Sequence, residues 1–307
     1  MKIFITGASG HIGSAVTDEL LAAGHGVIGL ARSESSADAL AARGADVVRG
    51  DLDDADLLRT QAAASDGVIH LAFKHEFMRS GDYLGAIDAD LRAIKALTDG
   101  LKGSGKPFVG TSGSLGLAFS GVEGMATEQV VLDGGPRVDA ENLVIGLASS
   151  GVRSSVIRLA PTVHSDLDHH GFVPTLIGFA REQGHSAYLG DGANRWPAVH
   201  TLDAARLYRL AVESAPAGSR LHGIAESGIA FREIAEAIGA GVGVSAISVE
   251  PGDAERYLGY LKDFAGFDNP VSSAETQELL GWRPQGAGLL EDIAAGHYFA
   301  VDAGAMG

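Results

Sequence analysis

The sequence contains no cysteine. Disulfides, a thiolate nucleophile and any zinc site built on sulfur are therefore excluded, and a metal would have to be held by His, Asp or Glu. Basic residues are scarce: 23 Lys and Arg stand against 39 Asp and Glu, a formal charge of -16. The basic residues are scattered rather than gathered into a stripe, so phosphate backbones are repelled and nucleic acid is not an expected partner. Long apolar runs are also missing. Uncharged stretches such as Leu143 to Gly151 fall short of the roughly 20 residues a membrane-spanning helix needs. Lys2 leads straight into a strand rather than into the apolar region of a leader. No membrane partner is expected, and the expected location is cytoplasmic.

What the sequence does hold is ample core material, 46% hydrophobic residues in 307. Short apolar runs recur at Ile3-Ile5, Val27-Leu30, Asp46-Val48, Val68-Leu71, Phe108-Val109 and Val156-Leu159. Between most of them lie helical patterns. From Ile12, the positions Ile12, Ala15, Val16, Leu20 and Ala23 keep the three-and-four spacing of one helix face, and Gly24 supplies the stop. Strands apolar on both faces and separated by helices predict an α/β fold, a doubly wound parallel sheet of the Rossmann type over residues 1-160. Beyond Pro161 the alternation weakens. Residues 161-300 read as a smaller, mainly helical substrate-binding cap with helices near Phe172-Gln183, Asp203-Ser214, Phe231-Ile238 and Ser273-Leu280. The cap is expected to be discontinuous, because Arg220-Ile224 reads as a return to the sheet near 200-225.

Three glycines at intervals of three, Gly7, Gly10 and Gly13, follow the first strand in the stretch TGASGHIG. One glycine permits the tight turn, the next lets a pyrophosphate approach the backbone, and the third lets helix and strand pack closely. The amides and positive dipole end of the following helix then face the phosphates, with Ser9, His11 and Ile12 in the same loop.

TGASGHIG resembles the TGxxGxxG fingerprint of the extended short-chain dehydrogenase/reductase family, whose members include sugar-nucleotide epimerases, dehydratases and hydroxysteroid dehydrogenases. The likeness runs over about 280 residues. GDLDD, with Asp51 and Leu52, is similar to the family's adenine-contacting turn. HLAFK, with Leu71, Ala72, Phe73 and Lys74, is similar to its fourth strand end, where the resemblance implies a lysine near the pyrophosphate. VIRLAPTVH, with Pro161, Val163 and His164, resembles the stretch that lines the nicotinamide; VHTLDAA and ELLGWRP resemble two C-terminal signatures.

NAD-preferring proteins place an acid at the end of the second strand. Here the chain reads Leu30-Ala31-Arg32-Ser33, and Glu34 comes late. Arg32 offers a planar, permanently charged fork and Ser33 a hydroxyl, which suit a 2′-phosphate. NADP(H) is expected in preference to NAD(H).

The family's reaction uses a Tyr-x-x-x-Lys pair, the tyrosine exchanging a proton with the substrate oxygen while the lysine lowers its pKa and holds the nicotinamide ribose. Counting back from AENLV puts Asp133 and Arg137 at those positions, and no tyrosine stands between Tyr83 and Tyr188. Arg137 can hold a ribose but cannot deprotonate. The family's catalytic serine or threonine falls among Thr111, Ser112 and Ser114, with Ser112 the first choice. His75, after the fourth strand, is the favoured alternative proton carrier, because loops at the carboxyl ends of parallel strands border the ligand crevice. His164, Asn194, Arg195, Trp196 and His200 are expected to face the substrate. HSDLDHH, at His164 to His170, is a cluster of possible metal ligands, but it reads as a solvated loop and no metal is expected.

Three functions remain open at this point. The first is an NADP(H)-dependent oxidoreductase, an atypical short-chain dehydrogenase acting on a small carbonyl or alcohol. The second is a non-catalytic NADP(H)-binding redox sensor or regulator, and the third an NAD(P)-dependent epimerase or isomerase. The resemblance also implies a homodimer through the helices near Tyr83-Leu101 and Arg137-Ala148.

Overall fold

The structure is a computed structural model that describes residues 1–74 and 82–300. Its centre is a seven-stranded parallel sheet of β1 (Lys2–Thr6), β2 (Gly26–Ala31), β3 (Asp46–Arg49), β4 (Gly67–His70), β5 (Pro107–Gly113), β6 (Arg153–Leu159) and β10 (Ser219–Gly223). The spatial order is β10-β6-β5-β4-β1-β2-β3. Beyond β6 come the strands β7 (Thr162–His164), β8 (Ser186–Leu189) and β9 (Arg195–His200), and after β10 come β11 (Glu226–Ala230) and β12 (Ala246–Val249).

Period-two alternation explains why these strands lie between two helical layers. Ile3, Ile5, Ile69, Val109 and Ile157 point into one core with Ala15, Val16 and Leu20. Their neighbours Phe4, Val68, Phe108 and Val156 point into the other with Leu58, Ile94, Leu97 and Val144. Both faces are apolar, so both must be covered. The first is covered by α1 (His11–Ala22) and α8 (Thr201–Ser214), the second by α3 (Ala55–Ala64), α4 (Tyr83–Asp99) and α6 (Val138–Gly146). Two more helices belong to the same crossovers: α2 (Glu34–Ala42) after β2, and α5 (Leu115–Phe119) between β5 and α6. Leu58 is completely buried; truncating it to alanine would cost about 2–5 kcal/mol.

The cap is built on a different core. Trp196, Phe231, Ile234, Ile238 and Val173 are buried together, brought in by α7 (Phe172–Gln183), α9 (Phe231–Val242) and the small sheets β11-β9-β7 and β12-β8. Shorter helices follow at α10 (Ala254–Leu258), α11 (Lys262–Ala265), α12 (Ala274–Leu280) and α13 (Leu289–Ala294). The small sheets add strand content that the sequence pattern, which pointed to helices, did not reveal. The chain leaves the cap to add β10 alongside β6, Leu221 opposite Ile157.

The sheet order reverses at β1: β2 and β3 extend to one side, β4 and β5 to the other. At such a switch the loops diverge and leave a crevice outside the carboxyl ends of the strands. Thr6, at the end of β1, pairs with His70, at the end of β4.

Candidate functional site

The loop after β1 is shaped by contacts that only glycine permits. Gly7 has φ +75°, and a Cβ there would lie 2.7 Å from the Ala72 nitrogen. A Cβ on Gly13 would come within 1.9 Å of the Gly7 oxygen, so this glycine sets how closely α1 packs on β1. Gly10 is the N-cap of α1 and makes no side-chain cap. The first-turn amides of α1, including those of His11 and Ile12, have no partner within the helix, and Ser9 beside them is exposed. An uncapped helix start against a glycine turn fits a dinucleotide pyrophosphate. Leu71 and Ala72 border this cradle: the Leu71 N–H donates to the Thr6 oxygen at 3.1 Å and the Ala72 N–H to Thr6 Oγ1 at 3.4 Å.

Arg32 follows β2 directly and is exposed. Ser33 is the N-cap of α2, its Oγ accepting from the Ser36 N–H at 3.2 Å. Glu34 is turned to Arg49 at 3.0 Å. Lys74 Nζ lies 2.5 Å from Asp53 and 3.2 Å from Asp51. Burial pushes the Asp51 carboxyl up, but the Asp53 N–H, the Lys74 ammonium and the Arg32 guanidinium outweigh it and hold it below the usual carboxylate range. Lys74 is thus engaged at the GDLDD turn, in which Leu52 is buried.

At the ends of β4 and β5 the polar groups form one connected network. Thr6 Oγ1 and His70 Nδ1 are 2.6 Å apart, and His70 Nε2 lies 3.0 Å from Asp90 Oδ1. Asp90 Oδ2 accepts from Arg137 at 3.3 Å. A second Arg137 nitrogen donates to the Thr111 carbonyl at 3.1 Å, and the guanidinium lies 4.2 Å over the Phe73 ring. Thr111 Oγ1 donates to the His70 carbonyl and accepts from the Tyr208 hydroxyl, both at 2.8 Å. Arg137 has φ +66°, the only positive φ outside glycine among the described residues. Such a conformation costs about 1–2 kcal/mol, so the surrounding contacts hold the residue where it is.

Ser114 and Thr111 are both occupied, the former accepting from Asn269 Nδ2 at 3.1 Å. Ser112 is buried to 6% exposure, and among the described residues its hydroxyl makes no hydrogen bond. Gly113 beside it faces open space, since a Cβ there would meet nothing within 4 Å. Ser112 is therefore the hydroxyl at the end of β5 that is left for a ligand. Asp133 is exposed on the crossover, and His75 lies outside the described residues.

Three groups were not legible in the sequence. Asp90 and Tyr208 join the network from α4 and α8. Tyr83 stands seven residues before Asp90, on the same helix face, and is half-buried. Burial pushes its hydroxyl pKa up, while the charge of Arg137 works against that rise, which puts Tyr83 within electrostatic reach of Arg137.

The remaining expected substrate residues are used internally. His164 is fully buried, with Nδ1 2.9 Å from Asp292 and its ring 5.5 Å from that of His200. His200 accepts from the Leu202 N–H at 3.2 Å and so caps α8. Asn194 donates to the carbonyls of Ala265 and Phe267, Arg195 is paired with Asp268, and Trp196 is completely buried against Phe231. Pro161 is half-buried, and Val163 belongs to the main core.

His11 reaches from the glycine loop to Thr201 Oγ1 at 2.7 Å and lies 3.7 Å from Asp168. Burial and the neighbouring His169, His164 and His200 lower its pKa to about 4. Burial raises that of Asp168 to about 6. At neutral pH the contact is therefore a neutral imidazole beside a carboxylate rather than an ion pair. Among the described residues no group of three His, Asp or Glu side chains has metal-binding geometry, and no helix is long and apolar enough to cross a membrane.

Residues 3–114 match the NAD dependent epimerase/dehydratase family. An uncharacterized protein of Schizosaccharomyces pombe is 44% identical over 97% of this chain and 100% of its own length. A 2-alkyl-3-oxoalkanoate reductase of Stenotrophomonas maltophilia is 27% identical over 73% of this chain and 68% of its own. The crystal structure of dTDP-glucose 4,6-dehydratase from Streptomyces venezuelae with NAD bound superposes with a TM-score of 0.76 at 21% identity, covering 97% of this chain and 96% of that one. With its glycine turn, its switch-point crevice and these relatives, the chain belongs to the NAD dependent epimerase/dehydratase family of extended short-chain dehydrogenases/reductases.

Proposed function

We propose that the protein is an NADP(H)-dependent oxidoreductase acting on a small carbonyl or alcohol, with its own substitutes for the missing tyrosine and lysine. The observation that carries this reading is the free Ser112 hydroxyl beside Thr111, whose carbonyl accepts from Arg137. When bound, the cofactor supplies or accepts hydride. The amides at the start of α1 hold its pyrophosphate, and Arg32 takes the 2′-phosphate through charge-assisted hydrogen bonds. Arg137 holds the nicotinamide ribose. The Ser112 hydroxyl donates to the substrate oxygen and strengthens that bond as negative charge develops there.

In place of His75, the Tyr83 hydroxyl is the proton source, with the Arg137 guanidinium favouring the phenolate that remains. The tyrosine and the cation then come from α4 and α6 rather than from one helix. A relative named as a reductase supports this direction of chemistry. The experiment is to follow NADPH absorbance with purified protein and a carbonyl panel. Turnover that falls by about 10²-fold or more in Ser112→Ala is expected. Tight NADPH binding without turnover of any carbonyl would favour the non-catalytic sensor, a reading favoured by the absent Tyr-x-x-x-Lys pair.

A further inference from the structure

We infer that the substrate is an uncharged carbonyl compound bearing an aromatic or branched apolar group, seated against Phe119, Phe264 and Phe267. This rests on the oxidoreductase reading of the crevice and names its substrate class.

Two polar side chains bonded to the segment that carries Phe264 and Phe267 are already satisfied by the protein. Arg195 donates twice to Asp268, from Nε at 3.0 Å and Nη2 at 2.7 Å, and its backbone N–H adds a third bond at 2.8 Å. Asn194 Nδ2 holds the carbonyls of Ala265 and Phe267 at 2.8 and 3.2 Å. These bonds pin the segment 264–268, and what that segment presents is two aromatic rings. Phe264 and Phe267 meet Phe119 edge-on, with centroids 5.5 and 4.6 Å away.

Phe119 closes α5, which starts immediately after Ser114, so it sits about 7 Å along the helix from the end of β5. Ser114 accepts from Asn269, and Ala126 bridges to Val271, so the crossover and the cap segment run side by side. The crossover also leaves large apolar side chains in water: Phe119 is 49% exposed, Met125 51% and Val131 61%. Apolar groups left exposed on one segment, here the crossover that follows β5, mark a ligand-binding surface.

Charge points the same way. An anionic substrate group at these rings would find the nearby Arg195 guanidinium already neutralised by the Asp268 carboxylate, which its bonds from Arg195 hold below the usual carboxylate range. Arg195 has its fork committed, and the chain as a whole carries -16. A neutral ring needs no free cation and gains edge-to-face contacts.

The test compares benzaldehyde with 4-carboxybenzaldehyde as NADPH-dependent substrates, and measures benzamide and benzoate binding to the NADPH complex by calorimetry. The expected kcat/KM for benzaldehyde exceeds that of the carboxylated compound at least about tenfold, and benzamide binds at least about tenfold more tightly than benzoate. Phe119→Ala is expected to lower kcat/KM for benzaldehyde about tenfold, through KM, with NADPH affinity unchanged. Equal handling of neutral and charged partners by the unaltered protein overturns the inference, whether or not the variant folds. Turnover without preference removes the apolar site and leaves the oxidoreductase. Tight, Phe119-dependent benzamide binding without turnover of any aldehyde removes the oxidoreductase and leaves the apolar site.

Discussion

The Arg137 guanidinium and the Asp90 carboxylate meet at 3.3 Å, and the other oxygen of Asp90 lies 3.0 Å from His70. Asp90 is 4% exposed, so these two partners take the place of water around its carboxyl group. The pair joins α4 to α6 across the carboxyl ends of β4 and β5, where the crevice opens. Arg137→Ala leaves that carboxylate without its cation, and a loss of about 2–4 kcal/mol is expected on urea denaturation. Arg137→Gly should lose about 1 kcal/mol less, because glycine adopts the positive φ without strain. Equal losses would show that the backbone at this N-cap is not held against its preference.

Arg32→Ala should weaken NADPH binding about tenfold to 100-fold, the loss of one or two charge-assisted hydrogen bonds, and leave NADH binding unchanged. Calorimetric titration of both cofactors checks this. A variant that loses both equally would place Arg32 outside the 2′-phosphate site.

Tyr83→Phe should lower kcat about 10²- to 10⁴-fold without altering NADPH affinity, the range expected for loss of a positioned general acid. Unchanged kcat would remove Tyr83 from the mechanism. Because Phe keeps the ring, denaturation midpoints for the two proteins should agree closely.

Asp168 supplies a pH test. Its pKa rises from the ordinary 3.8 to about 6 on burial. An acid raised in this way contributes stability that is complete below 3.8 and is lost as pH rises through about 6. The deficit above pH 6 is about 3 kcal/mol, at about 1.4 kcal/mol per pKa unit. The stability of Asp168→Asn relative to the unaltered protein should therefore climb between pH 5 and pH 7, as read from urea unfolding. His11 works in the opposite sense, its contribution present above 6.5 and lost as pH falls through about 4, and it is common to both proteins. A pH-independent difference would contradict the burial of Asp168 as a titrating acid.

The cofactor loop was legible because its constraints are local. Gly7 and Gly13 touch within one turn of chain, and the spacing of glycines records that contact directly. The parallel sheet was legible for a similar reason: Ile3, Phe4 and Ile5 must be apolar on both faces. Side-chain partnerships across the fold leave no such trace. Arg195 is paired with Asp268, 73 positions later, and nothing near Arg195 announces it. Asp90 reads as one acid in a long amphipathic helix until tertiary packing sets it beside His70 and Arg137. Tyr83 lies more than 50 residues from Arg137, so a search for a tyrosine four places before a cation does not find the pair.

In the proposed complex a dinucleotide rests against the amides at the start of α1, with its 2′-phosphate at Arg32. Titration of the purified protein with NADPH and with NADH, each to millimolar concentration, tests it most directly. Saturable binding of NADPH, at least about tenfold tighter than NADH, is the predicted result; the absence of saturation with either cofactor would contradict the account.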